Sequence, residues 1–81
     1  MGESVKYIIF DWPGKGEIPI IFPSSIYHSE VTRAIQSIFP GVTPVRAGFV
    51  GESFSCSGGS NSLKLRSDPV VDNILIESLF K

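Results

Sequence analysis

The sequence predicts an α+β fold, a two-layer sandwich in which a mainly antiparallel four- to five-stranded sheet carries two helices on one face. Three observations lead there. Val5-Lys6-Tyr7-Ile8-Ile9-Phe10 and Ile18-Pro19-Ile20-Ile21-Phe22 are short runs of β-branched and aromatic residues on either side of a turn. The flanks of Gly58-Gly59 alternate apolar and polar with period two. Two other stretches, Val31 to Phe39 and Val71 to Leu79, repeat at helical spacing. The element order is ββαβββα or ββαββα, and residues 1–81 are expected to form a single α+β domain.

Strand one is Val5–Phe10. Asp11-Trp12-Pro13-Gly14-Lys15-Gly16 breaks it, and Pro13-Gly14 suits the centre of a type II turn, since proline presets φ and glycine accepts φ > 0. Ile18–Phe22 returns as strand two. Pro19 has no N–H for a ladder, which puts this strand at a sheet edge or beside a bulge. Val5, Tyr7 and Ile9 are expected to share a side with Ile18, Ile20 and Phe22, while Ile8, Phe10 and Ile21 point to the other. Both faces of the pair are therefore apolar, and two helices on one side leave the second face to another part of the chain or to another molecule.

From His28 the period changes. Val31, Ala34, Ile35, Ile38 and Phe39 form one apolar stripe, with His28 or Ser29 as N-cap, Glu30 in the first turn and Pro40-Gly41 closing the helix. Thr43–Val50 reads as strand three, and Gly48 and Gly51 signal a bulge or a close backbone approach. In the next hairpin, Gly58-Gly59-Ser60-Asn61 is expected to connect two strands. Ser57 then faces Ser62, Cys56 faces Leu63 and Phe54 faces Leu65, all four apolar side chains on one side. In the last helix Asp68 caps, Pro69 takes the first helical position, and Val71, Ile74, Leu75 and Leu79 are the buried stripe.

Composition narrows the function classes. Hydrophobic residues make up 42% and charged residues 19%, the balance of a folded domain rather than of a disordered chain. The net charge of −1 provides no field toward phosphate backbones or anionic lipid, so nucleic acid is an unfavoured partner. Cys56 is the one cysteine, which excludes an intramolecular disulfide and fits a reducing cytoplasm. Met1-Gly2-Glu3-Ser4 carries no basic signal region, Lys6 stands where a myristoylation pattern needs Ser or Thr, and no apolar run approaches the ~20 residues of a membrane span.

The candidates for chemistry are few. Cys56 with His28 is a conceivable thiol and imidazole pair, but Cys56 alternates with Phe54 as a small buried hydrophobe, and His28 reads as a helix-start residue. One His and one Cys leave a zinc site without a supporting spacing, and no cofactor is implied. Gly14-Lys15-Gly16 precedes a strand, where no phosphate cradle forms, and Gly58-Gly59 is a turn. Ser53, Ser55, Ser57, Ser62, Lys64 and Arg66, joined by Arg46, would line the wet side of the second hairpin. That strip is mildly basic and lacks the aromatic platforms of single-strand binders, so a solvated face is the simpler reading. Trp12 either folds back over the core, the favoured reading, or anchors a partner.

The expected function is a small non-enzymatic protein-interaction module. Its first hairpin presents Ile8, Phe10, Trp12 and Ile21 to a protein partner, which a second copy in a homodimer would satisfy. The alternative is a weak nucleic-acid or anionic-ligand binder using Arg46, Lys64 and Arg66.

Overall fold

The computed structural model describes residues 5–81. The sequence readings of Met1–Ser4 concern residues outside that range. The elements in chain order are β1 (Val5–Trp12), β2 (Gly16–Pro23), α1 (His28–Ile38), β3 (Thr43–Val50), a single 3-10 turn (Glu52–Phe54), β4 (Cys56–Ser57), β5 (Gly59–Ser60), β6 (Leu65–Arg66) and α2 (Pro69–Ser78). The fold is α+β, with an antiparallel four-stranded sheet in the order β2-β1-β3-β4 and β5 and β6 forming a separate small hairpin.

The first turn forms as its residues dictate. The Lys15 N–H donates to the Trp12 carbonyl at 2.8 Å, and Gly14 takes φ +79° behind Pro13. Three residues then separate Trp12 from its partner Gly16, so even-numbered residues face even-numbered ones and odd face odd: Ile8 opposes Ile20, Phe10 opposes Ile18 and Tyr7 opposes Ile21. This corrects the expected pairing. Ile8 and Phe10 share a face with Ile18, Ile20 and Phe22, and Tyr7 and Ile9 share the other with Ile21.

β1 is an inner strand, and each of its faces has its own helix. Ile8, Phe10, Phe22, Val42 and Ala47 form one core cluster, packed by Val31 and Ile35 of α1. Tyr7, Ile9, Cys56 and Ile76 form the other, packed by Leu75 of α2 together with Ile21, Val45, Val50 and Phe54. The two helices therefore lie on opposite sides of the sheet rather than together on one. A strand covered on both sides reads as an unbroken apolar run, and Tyr7, Ile8, Ile9 and Phe10 are all fully buried.

Both helices are turned from the expected orientation. α1 is capped by Tyr27, whose N–H donates to the Glu30 carboxylate at 2.9 Å, and it points His28, Val31, Thr32 and Ile35 inward while Ala34 and Ile38 face out. α2 starts at Pro69 behind Asp68 as expected, but its inward residues are Asp72, Asn73, Leu75 and Ile76, with Val70 and Ile74 outward. Polar groups set that rotation. Asp72 binds Tyr7 and Arg46 in the sheet, and Asn73 Oδ1 accepts the Cys56 N–H at 2.8 Å.

The second hairpin differs most. Ser57 and Cys56 pair with Phe49 and Val50 of β3, and the tight hairpin is instead Gly59–Ser60 against Leu65–Arg66. Gly58 at φ +76° turns the chain out of β4. Leu63 and Leu65 then pack on the α1 face while Phe54 and Cys56 pack on the α2 face, so these four side chains do not share a side. Gly48 shows the expected close approach: a Cβ there would run into the Ser57 carbonyl oxygen and lie 3.1 Å from the Tyr7 ring. The bulge falls at Val45, between the Ile9–Arg46 and Phe10–Pro44 pairs, beside the proline that interrupts the ladder.

Candidate interaction surface

Of the four residues expected to face a partner, Ile8 and Phe10 have no exposed surface, because α1 covers them. Ile21 is half-buried against the α2-side core. The middle of the first hairpin is therefore interior, and those three residues present no docking face. The chain itself covers the second apolar face, which the sequence left open to another molecule. Trp12 differs. It lies at the end of β1, folded back onto the core as expected, and it stays half-buried with its ring tilted 52° against Phe39 at 4.9 Å between centroids.

That aromatic pair forms a ridge between two shallow hollows. One, of about 360 Å³, is lined by Trp12, Lys15, Ile18 and Phe39; the other, of about 260 Å³, by Trp12 and Phe39 with Pro13, Ile38, Pro40, Gly41 and Val42. Each ring is held there by a Pro-Gly turn that ends its element, Pro13-Gly14 after β1 and Pro40-Gly41 after α1. The turns touch: a Cβ on Gly41 would meet Pro13 at 3.4 Å. The ridge continues into Ile38, which is 67% exposed. The sequence carries a signal for this surface. Ile38 and Phe39 are adjacent large apolar residues at a helix end, and neighbours in a helix lie about 100° apart, so one narrow stripe does not bury both.

The three cations of the alternative reading do not act together. Arg46 is consumed: its Nε donates to Asp72 Oδ1 at 2.7 Å, and its Nη2 donates to Glu17 Oε1 at 2.5 Å. These bonds push the Arg46 guanidinium pKa further up, the Glu17 bond foremost, and hold Glu17 below the usual carboxylate range. Lys64 and Arg66 are exposed, Lys64 in the turn that closes the β5-β6 hairpin at φ +58°. The serines of the expected strip, Ser53, Ser55, Ser57 and Ser62, are exposed but do not line one hairpin: Ser53 lies in the 3-10 turn, Ser57 in β4 and Ser62 in the turn between β5 and β6.

Arg46 belongs to a polar network that the sequence reading missed. Asp72, fully buried, accepts the Tyr7 hydroxyl at 2.5 Å, Arg46 Nε, and the Asp68 N–H at 2.9 Å. Burial, reinforced by the Asp72 carboxylate, drives the Tyr7 phenol far above its ordinary value, so it stays a donor. The network fastens α2 to β1 and β3. Its one signal in the sequence is an acid inside the apolar run Val70-Val71-Asp72-Asn73-Ile74-Leu75-Ile76.

Cys56 and His28 are kept apart by the sheet. Cys56 packs with Tyr7 on the α2 side, and burial raises its thiol pKa. His28 lies on the other side, its ring edge-on to Phe22 at 5.4 Å and to Phe49 at 5.8 Å. Its Nε2 is 3.0 Å from the Gly48 carbonyl; a carbonyl only accepts, so the proton sits on Nε2. Thiol and imidazole do not meet. No family model matches this chain, and neither does any curated protein or solved structure.

Proposed function

We propose that this protein is a small non-enzymatic interaction module that docks on a protein partner through the tip of its first hairpin, with Trp12 and Phe39 as anchors. The observation that carries this reading is the Trp12–Phe39 ridge, two large rings braced by proline turns and flanked by apolar hollows beside exposed Ile38. Rigid aromatic anchors in partly desolvated pockets are where interfaces concentrate their binding energy. Ordering entropy is small for such a surface, because the rings and the turns beneath them are already held. The unpaired, buried thiol of Cys56 fits a reducing, cytoplasmic setting.

Affinity capture from native extract tests the reading with three baits: wild type, a Trp12→Ala/Phe39→Ala double variant, and Arg33→Ala on the exposed side of α1. Proteins held by wild type and Arg33→Ala but lost with the double variant support it. Equal retention by all three, with circular dichroism showing each bait folded, removes it.

A further inference from the structure

We propose that the occupant of the hairpin tip is a second copy of this chain, presenting the outward face of α2; this deepens the reading of the tip as a docking surface and rests on it. α2 exposes Val70 (76%) and Ile74 (68%), one turn apart on the side away from the core. Glu77 continues the same face and Asp68 stands at its start, both exposed, so the apolar pair lies between two carboxylates. The tip is the complement. Its larger hollow is apolar and aromatic, and the one charged residue lining it, Lys15, has no ion-pair partner among the described residues. An i, i+4 aliphatic pair entering an aromatic hollow is the helix-in-groove mode of recognition, and Lys15 against Glu77 supplies a charge pair across the contact.

Other routes to self-association are less well provided. The outer strand β2 carries Pro19 and Pro23, which have no N–H to give a neighbouring strand. At the other edge β4 has only two residues. A net charge of −1 leaves little repulsion between copies. Tip and helix face are different patches, so each contact takes a tip from one copy and an α2 face from another.

Pairing a tip with a helix face gives a test that a tip-to-tip or helix-to-helix contact fails. Sedimentation velocity on the full chain, up to several hundred micromolar, compares wild type, Trp12→Ala, Ile74→Ser and an equimolar mixture of the two variants. Wild type should associate with rising concentration and each variant alone should stay monomeric. The mixture should form a one-to-one dimer and stop there, because it holds one intact tip and one intact helix face per pair. Reversing the charge in Lys15→Glu should weaken wild-type association about two- to fivefold, as for an exposed ion pair, and the K15E/E77K double variant should restore it. Phe39→Ala, which removes the other ring of the tip, replaces Trp12→Ala if that variant does not fold. Self-association of Trp12→Ala alone, or a monomeric mixture, overturns the tip-to-helix contact. A wild type monomeric throughout overturns the second copy as occupant while leaving docking of a different protein intact, and the capture experiment decides that separately.

Discussion

Three donors converge on the fully buried carboxylate of Asp72: the Tyr7 hydroxyl, Arg46 Nε and the Asp68 N–H. A buried charge is tolerated only with such company, and truncating one member strands the others in a medium that solvates them poorly. Asp72→Ala is expected to cost about 3 kcal/mol or more, read as a drop in the urea midpoint. Tyr7→Phe should cost about 1.5–3 kcal/mol, the range for a hydrogen bond to a charged group; a neutral Tyr7→Phe would mean that water replaces the phenol and that the network is less dry than its exposure indicates. His28 gives a pH dependence of definite sign. Burial lowers its pKa, against the opposing effect of the Gly48 carbonyl bond, so the folded state prefers the neutral ring. Stability from this group is complete above the unfolded value of about 6.5 and is lost as pH falls through the lower folded value. Urea midpoints at pH 8, 6.5 and 5 should therefore decline for wild type across the acid side of that window, before the carboxylates titrate, and stay flatter for His28→Gln.

Among the elements, β1 and the first turn were legible because their causes are local. Pro13-Gly14 dictates its turn, and a run of β-branched and aromatic residues has little choice but a strand. The helices were legible in position and not in rotation. α1 and α2 were read by apolar spacing, yet each turns a polar residue inward, His28 to a backbone carbonyl and Asp72 to Tyr7 and Arg46, displacing Ile38 and Ile74 to the outside. The partners of those polar groups are distant in sequence, where periodicity carries no information about them. The second hairpin was misread for a related reason. Its alternation is real, but Gly58 redirects the chain, so Cys56 and Leu65 end on different faces. This redirection depends on Gly48, where the Ser57 backbone comes too close to admit a side chain. Gly48→Ala should cost about 1–3 kcal/mol from overpacking against backbone that does not yield, and thermal melts against an exposed control such as Gly51→Ala measure the difference.

At the scale of the whole molecule, a sheet between two helices leaves little of the inner strands accessible. Cys56 tests that enclosure. The residue is 3% exposed and burial raises its thiol pKa, so a maleimide reagent should label it only through opening of the structure, at a rate that climbs with denaturant and falls in stabilised variants. Immediate labelling in native buffer would show that α2 does not seal the sheet. With the core closed in a single copy, apolar surface remains at the hairpin tip and along α2, at residues the sequence had assigned elsewhere: Phe39 and Ile38 to the stripe of α1, Ile74 to that of α2. Trp12 alone carried over from the expected contact set to the surface that forms.

The sequence by itself determined the class, the positions of the first two strands and of both helices, the first turn and the start of α2, since each follows from propensities and turn chemistry within a few residues. Only the tertiary structure decided which face each helix covers, which way each helix turns, and where apolar surface is left over. Those outcomes depend on pairings such as Tyr7 with Asp72, 65 residues apart, and on a one-residue choice of register that exchanges the two faces of a strand. An apolar run with two greasy sides shows that both will be covered, and only folding shows that the chain supplies both covers.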